Sequence, residues 1–199
     1  MAELTPIQLD ALKEMGNIGA GNAATALAQL IGENVSISVP EVKITALDMV
    51  SESLGGPEKQ VYIIYLEVAK DMNGTMLTIF SQETALFFVK KLLVSDDVDM
   101  TSDIALSALK EVGSILCGSY LSALSQLVTM SSVASVPAMA FDMLGAMLNF
   151  VLVDIGQIAD EVFLLDTELF VSETKLECSQ LFLPKPGTLE IILTSIGMM

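Results

Sequence analysis

Histidine and tryptophan are absent from this chain, and only two of its 199 residues are cysteine. Zinc sites in proteins are built largely from histidine and cysteine, so this composition predicts no zinc site. Cys117 and Cys178 lack the spacing of a metal or redox motif. We therefore expect two buried free thiols in a reducing compartment rather than a disulfide.

Positive charge is also scarce. Nine Lys and Arg residues stand against 25 Asp and Glu residues, which gives a net charge of −16 at pH 7. Such a field repels phosphate backbones, so nucleic acid is not expected as a partner. Two interpretations of the charge remain open: it serves solubility alone, or it steers a basic, lysine-bearing protein surface toward the molecule.

Long uninterrupted apolar runs are missing as well. The longest, residues 138–153, is broken by Asp142 and Asn149 and is too short to span a bilayer. The first ten residues lack the positively charged start and apolar stretch of a signal peptide. We therefore expect a cytoplasmic protein without membrane insertion. Apolar residues nevertheless make up 52% of the chain, which is ample for a well-buried core.

An internal repeat is visible in the sequence. Residues 9–18 read LDALKEMGNI and residues 106–115 read LSALKEVGSI, at an offset of 97 positions. The same offset relates residues 38–40 to residues 135–137, both of which read Ser-Val-Pro. A constant offset over some thirty positions indicates a duplication.

The repeat defines the predicted domain organisation. We predict one domain over residues 1–199, made of repeat 1, about residues 5–95, and repeat 2, about residues 102–199. The acidic segment between them, residues 95–103, is too short for a flexible tether. Two small units sharing one core are compatible with the length of the chain.

Each repeat opens with a long helical pattern. From Leu9 to Leu30, apolar and small residues recur at intervals of three and four, which predicts one buried helix face. Thr5 and Pro6 form a start signal, and Gly32 a stop signal. Two shorter helices are predicted later in the chain, over residues 82–93 and 187–196.

Runs typical of β-strands follow each long helix. A helix, several strands and a closing helix, occurring twice, predict an α+β fold with pseudo-twofold symmetry. In this fold the long helices pack on one face of a largely antiparallel sheet. The predicted strands are residues 35–39, 42–47, 61–68, 75–80, 139–144, 147–153, 162–170 and 176–183.

A polar stripe on the first helix could carry chemistry. Asp10, Glu14 and Asn17 fall on one face, opposite the predicted buried stripe. The carboxylate can pair with a cation of a partner, and the carboxamide can hold a water in line with a phosphorus or acyl centre. Plain solvation of these polar side chains is the alternative. Their counterparts on the second helix are Ser107, Glu111 and Ser114.

Three glycines interrupt the first helix. Gly16, Gly19 and Gly21 each cost a helix roughly 1 kcal/mol relative to alanine. This cost must be offset by an interaction that requires glycine at these positions. Close packing between the two repeat helices and close approach of a docked partner both supply one, and both remain open.

The polar stripe belongs to a longer pattern. Asp10, Glu14, Asn17 and Pro40 have the spacing of the motif that marks the CheC family of chemotaxis phosphatases, which is related to CheX and to the phosphatase part of the flagellar switch protein FliY. The segment EMGNIGAGNAATAL, residues 14–27, resembles the first motif of that family. The second motif resembles LKEVGSILCGSYLSAL, which begins at residue 109.

This resemblance implies a function. The family hydrolyses the aspartyl phosphate of the response regulator CheY; by analogy Glu14 would pair with a lysine of CheY and Asn17 would orient the attacking water. Asp10 and Pro40 would support the motif. The Mg²⁺ ion would belong to CheY, so no cofactor is expected in this chain. The receptor deamidase CheD is a further implied partner, for which Asp142 and its neighbours after Pro137 are a candidate surface.

The second site departs from the family pattern. Ser114 stands where the second motif usually has asparagine, and a hydroxyl is about two bonds shorter than a carboxamide. We therefore expect a weak or silent second site at Glu111 and Ser114, with Ser107 and Pro137 as supporting residues. The alternative function is a non-catalytic adaptor that binds CheY or CheD, or a flagellar switch component.

Overall fold

The computed structural model describes residues 5–154, 161–185 and 187–196, and it leaves out the side chains of residues 40, 47, 48, 151–154, 161 and 166. Helices and strands are interspersed through this part of the chain. The helices are α1 (Pro6–Ile31), α2 (Leu47–Ser53), α3 (Gln82–Leu93), α4 (Asp103–Val128), α5 (Leu144–Asp154) and α6 (Thr188–Ser195).

The strands form one sheet in which every pairing is antiparallel. This confirms the predicted α+β class with an antiparallel sheet. The strand order is β1-β6-β7-β3-β2, and both β4 and β5 pair with the outer side of β2. The strands are β1 (Val35–Ala46), β2 (Gln60–Lys70), β3 (Gly74–Ser81), β4 (Ser132–Ala134), β5 (Ala138–Met143), β6 (Glu161–Val171) and β7 (Thr174–Pro184).

The two halves of the chain exchange strands within this sheet. β1 comes from the first half but pairs with β6 of the second, and β5 comes from the second half but pairs with β2 of the first. The hairpins β2–β3 and β6–β7 meet in the middle through β3 and β7. Neither half could therefore form its part of the sheet without the other. The division into two repeats of common origin stays a prediction.

Local signals set the boundaries of the helices. The Thr5 side chain accepts a hydrogen bond from the backbone of Gln8, whose side chain in turn bonds the Thr5 backbone, and this capping box begins α1. Gly32 ends the helix with φ at 71°, a left-handed conformation that glycine adopts without steric cost. Ser81 caps α3 through the backbone of Thr84.

The larger core lies between the long helices and one face of the sheet. Leu12 and Leu27 of α1 and Leu109 and Leu116 of α4 are fully buried there. Side chains of α3 and α6 complete the same layer. The prediction that the long helices pack on one face is therefore confirmed. Burial of this apolar surface is the main favourable term in folding.

A smaller core covers the opposite face. Alternate residues of a strand point to opposite faces, and Ile63 of β2 belongs to this second core whereas its neighbour Ile64 belongs to the first. The side chains of Val50 in α2 and of Leu144 and Leu148 in α5 pack here. The two short helices therefore shield the second face of the sheet.

The two short helices were not predicted. Residues 147–153 were expected to form a strand, and the structure shows that they belong to α5. No helix was expected over α2, residues 47–53, of which only Leu47 was assigned to an element, the end of a predicted strand. The segment of α5 is largely apolar and has no clear helical or strand period, so only its burial against the second face of the sheet decides between the two structures.

One helix among the described residues, α4, has the length and hydropathy of a membrane span. Leu109, Val112 and Leu116 of this helix are fully buried inside the molecule. A long apolar helix in the core of a compact fold has the same composition as a span. Its packing here accounts for its apolar character.

The helix glycines serve different purposes. A Cβ atom at Gly19 would lie 2.7 Å from the Tyr120 ring and 3.0 Å from the Tyr120 Cα atom, so this glycine lets α1 and α4 pack closely. A Cβ at Gly16 would lie 3.1 Å from a methyl group of Val39 in β1. Nothing lies within 4 Å of a Cβ at Gly21. Close packing of the two repeat helices therefore explains one of the three glycines.

Alanine substitutions on α1 test this packing. We expect Gly19→Ala to lower the free energy of unfolding by about 1–3 kcal/mol, because the new methyl group would press on the backbone of Tyr120. We expect Gly21→Ala, the matched control, to raise it by up to about 1 kcal/mol through helix propensity alone. Urea unfolding measures both. Equal effects of the two substitutions would contradict the packing of α1 on α4.

Candidate functional site

The polar stripe of α1 lies on the surface as predicted. Asp10 and Glu14 are exposed, and Asn17 is half-buried. Leu12 and Gly16, on the other side of the helix, are buried. The stripe is thus held on a helix whose opposite face is fixed in the core, and its side chains are presented on a rigid support.

The carboxamide of Asn17 is tied to the sheet. Its Oδ1 atom accepts a hydrogen bond of 3.0 Å from the backbone N–H of Val39 in β1. A backbone N–H can only donate, so this bond also fixes which end of the amide faces the strand. Nδ2 makes no hydrogen bond to any of the described residues. The amide therefore keeps both of its N–H donors and one lone pair of Oδ1 for a visiting group.

Glu14 lies one turn before Asn17 and is free to meet a partner. Its carboxylate forms no salt bridge with the part of the chain that the structure describes. Two large apolar side chains extend the same face, with exposed fractions of 71% for Ile7 and 47% for Ile18. An exposed carboxylate between exposed isoleucines on a rigid helix is typical of a protein-docking surface.

The corresponding stripe of α4 has a different neighbourhood. Ser107 and Glu111 are exposed and Ser114 is half-buried, as their counterparts on α1 are. A Cβ at Gly113 would lie 2.7 Å from Ile64 of β2, whereas the counterpart Gly16 faces β1. The counterpart of Val39 is Val136, which is 88% exposed. Among the described residues, the segment that corresponds to the strand beside Asn17 is therefore exposed.

The two motif prolines lie where the outer strands are irregular. Pro137 is half-buried in the short gap between β4 and β5. Pro40 lies in β1 at a shift of the strand register, and the structure describes only its backbone. Sequence reasoning did not identify Val39 as a neighbour of Asn17, although Gly16 gave a signal that some other chain segment approaches the helix.

The amino-acid sequence is similar to that of a known protein over nearly its whole length. A model of the CheC-like family matches residues 7–44, which run from α1 into β1. The chain is also 33% identical over 196 residues to the CheY-P phosphatase CheC of Bacillus subtilis (strain 168), an alignment that covers 96% of this chain and 94% of that protein. The chain belongs to the CheC-like family.

Solved structures agree with this family assignment in fold. FliY of Thermotoga maritima superimposes with a TM-score of 0.79, at 19% identity, over 99% of this chain and 98% of that one. The middle domain of FliM from H. pylori gives a TM-score of 0.70 at 16% identity, over 96% and 99% of the two chains. At these identities the likeness shows the fold that the CheC-like chain shares with both proteins.

The two cysteines of this CheC-like chain lie in the core, away from the polar stripe. Both are free thiols and buried, as the sequence predicted. Thr78 donates its hydroxyl proton to Gln180 at 3.0 Å, so the Cys117 thiol, 3.1 Å away, donates to the Thr78 oxygen. Burial raises the pKa of Cys117 and of Cys178 to about 12.

The described residues contain no group of three or more His, Cys, Asp or Glu side chains placed to hold a metal ion. Glu14 and Asp10 of the stripe are therefore available for protein contacts rather than assembled into a ligand set. The chemistry of the stripe is that of a carboxylate and a carboxamide.

Thiol chemistry tests the burial of the cysteines. In the native protein both thiols stay protonated at pH 8, so we expect no reaction with a soluble disulfide reagent. In urea we expect two thiols per chain to react. The native thiols hold protons that unfolded thiols release above their ordinary pKa of 9.0. The free energy of unfolding should therefore fall as the pH rises from about 9 toward 12. Rapid labelling of the native protein would contradict this burial.

Proposed function

We propose that this chain is a phosphatase that hydrolyses the aspartyl phosphate of phosphorylated CheY. The tied carboxamide of Asn17 is the observation that carries the proposal, because it places two free N–H donors beside an exposed carboxylate on a rigid helix. The B. subtilis CheC protein, with which this chain aligns over nearly its whole length, is named as a CheY-P phosphatase.

The proposed chemistry needs only a well-placed water. A water attacks the phosphorus, the bond from phosphorus to the aspartyl oxygen breaks, and inorganic phosphate and a free carboxylate result. The remaining lone pair of Asn17 Oδ1 can accept a proton of this water while Nδ2 donates to a phosphoryl oxygen. The amide then aligns the water lone pair with phosphorus and never itself becomes a base.

Docking in this proposal relies on the rest of the α1 face. Glu14 pairs with a lysine of CheY, which fixes the register of the two proteins. Ile7 and Ile18 supply apolar contact on either side of the pair. The Mg²⁺ ion required for phosphoryl chemistry belongs to CheY, and this chain contributes no cofactor. Cytoplasmic location, which the reaction with CheY requires, is part of the proposal, and binding of CheD stays a prediction.

We assign the activity to the α1 site. On α4 the hydroxyl of Ser114 replaces the carboxamide, and Val136, the counterpart of Val39, is exposed in the gap between β4 and β5. Glu111 remains exposed and can still take part in docking. The second site is therefore proposed as weak or silent in hydrolysis.

Two substitutions of Asn17 separate catalysis from structure. Asn17→Asp keeps an oxygen that can accept the Val39 N–H but removes both N–H donors, whereas Asn17→Ala removes the hydrogen bond as well. We expect both to lower kcat for phosphate release from phosphorylated CheY by roughly a hundredfold or more. We expect only Asn17→Ala to lower the free energy of unfolding, by about 1 kcal/mol. A phosphate-release time course and urea unfolding measure the two quantities.

Two results would contradict the proposal, one from a variant and one from the unmodified chain. If Asn17→Asp keeps full activity, Asn17 is a structural tie and the catalytic assignment is wrong. If the unmodified chain binds phosphorylated CheY saturably without shortening the lifetime of the phosphoryl group, the chain is an adaptor and not a phosphatase.

Matched glutamate substitutions test which helix docks the substrate. We expect Glu14→Ala to raise the KM for phosphorylated CheY about tenfold, by loss of a charge-assisted pair of the order of 1.4 kcal/mol. We expect the double variant Glu111→Ala, Ser114→Ala to keep kcat within about twofold, since the second site contributes little. A double variant that loses most of the activity would reverse the assignment of the two sites.

A further inference from the structure

The feature that holds Asn17 is an irregularity in an outer strand. Along the pairing of β1 with β6, Ser38 lies opposite Glu168 and Glu41 lies opposite Asp166. Val39 and Pro40 therefore face the single residue Thr167, which makes a β-bulge. The Val39 N–H donates to Asn17 of α1 at this bulge. Among the described strands β1 is at the edge of the sheet, and a backbone N–H on its outer side has no partner strand there.

Gly16 lets the bulge reach the helix. Val39 is fully buried, and a Cβ at Gly16 would lie 3.1 Å from its Cγ1 atom and 3.2 Å from its Cβ atom. These distances are shorter than ordinary carbon contacts of 3.5–4.0 Å, so any side chain at Gly16 would push the strand outward. The glycine thus allows a main-chain donor of β1 to come within hydrogen-bond distance of Asn17.

We infer that the backbone N–H of Val39 is a positioning group for the hydrolysis, an inference that rests on the function proposed above. With Oδ1 held by this donor, the carboxamide has one orientation about its last side-chain bond, and Nδ2 faces away from the strand. Without the donor, the two ends of the amide could exchange places, and most orientations would misplace the water. The bulge therefore preorganises a group that acts in the transition state.

The second half of the chain supplies an internal contrast. Val136 is 88% exposed, and Gly113 packs against the side chain of Ile64 instead of a bulged outer strand. Among the described residues, Ser114 has no main-chain donor comparable to Val39. The two helices thus match in sequence but differ in the group that would orient their catalytic side chain.

Glycine-to-alanine substitutions test the inference with a matched control. We expect Gly16→Ala to displace Val39 by a few tenths of an ångström and to lower kcat about tenfold, with KM for phosphorylated CheY within about twofold. Gly113→Ala introduces the same methyl group against Ile64 on the other helix, and we expect it to cost stability while leaving kcat unchanged. Equal losses of kcat in the two variants would overturn the inference.

A backbone substitution removes the donor without changing any side chain. Replacing Val39 by its α-hydroxy acid turns the amide between residues 38 and 39 into an ester, which removes the N–H group and keeps every side chain. We expect kcat to fall about tenfold or more at unchanged KM, and the same replacement at Val42, a buried valine of the same strand, to leave kcat unchanged. Wild-type kcat in the Val39 ester would overturn the inference even if Gly16→Ala fails to fold.

Amide hydrogen exchange separates this inference from the proposed function. We expect the Val39 N–H to exchange slowly in the unmodified chain and in Asn17→Asp, and quickly in Asn17→Ala. Fast exchange in an unmodified chain that releases phosphate normally from phosphorylated CheY would overturn the positioning role alone. Slow exchange in a chain that does not hydrolyse the phosphate of CheY would instead overturn the proposed function.

Discussion

The contact between α1 and the bulge of β1 is the constraint on which the candidate site depends. Gly16 leaves room for Val39, and Val39 in turn brings its backbone N–H to Asn17. The helix supplies the candidate side chain, and the N–H of the strand fixes which end of its amide faces the sheet. Without this strand, the same helix would present a carboxamide that rotates freely. Such a group could not hold one water in a fixed position.

The exchange of outer strands between the halves explains why this constraint is stable. β1 is paired with β6 of the other half, and the hairpins of both halves join through β3 and β7. Movement of β1 away from α1 would therefore disturb a sheet that runs through the whole molecule. The large core beneath α1 and α4, including the close approach of Gly19 to Tyr120, fixes the opposite face of the helix. Preorganisation of the site is thus a consequence of the packing of the entire fold.

The two halves also show how helices of similar sequence can differ in their surroundings. Glu14 and Glu111 have the same exposure, so both helices can present a carboxylate to a partner. Asn17 and Ser114 differ in length, and the strand segments beside them differ in position, with Val39 fully buried and Val136 exposed. Docking requires only an exposed charge and tolerates such differences. Placement of a water does not tolerate them, because its effect on a reaction rate depends on distances of a few tenths of an ångström.

The sequence determined the elements whose signals are local. Helical spacing and caps predicted α1 and α4, and runs typical of β-strands predicted most strands. The polar stripe with Glu14 and Asn17 was placed correctly on the outer side of α1. The family pattern predicted the candidate site residues. Their catalytic roles stay predictions, because they depend on a complex with a second protein.

Only the tertiary structure decided the features that join distant segments. The apolar run of α5 carries no period that distinguishes a helix from a strand, and its burial against the second face of the sheet settled the matter. The pairing of β1 with β6, and hence the position of the bulge, is a contact between residues more than a hundred positions apart. The orientation of Asn17 follows from that pairing, since a main-chain donor can be placed only by the strand to which it belongs.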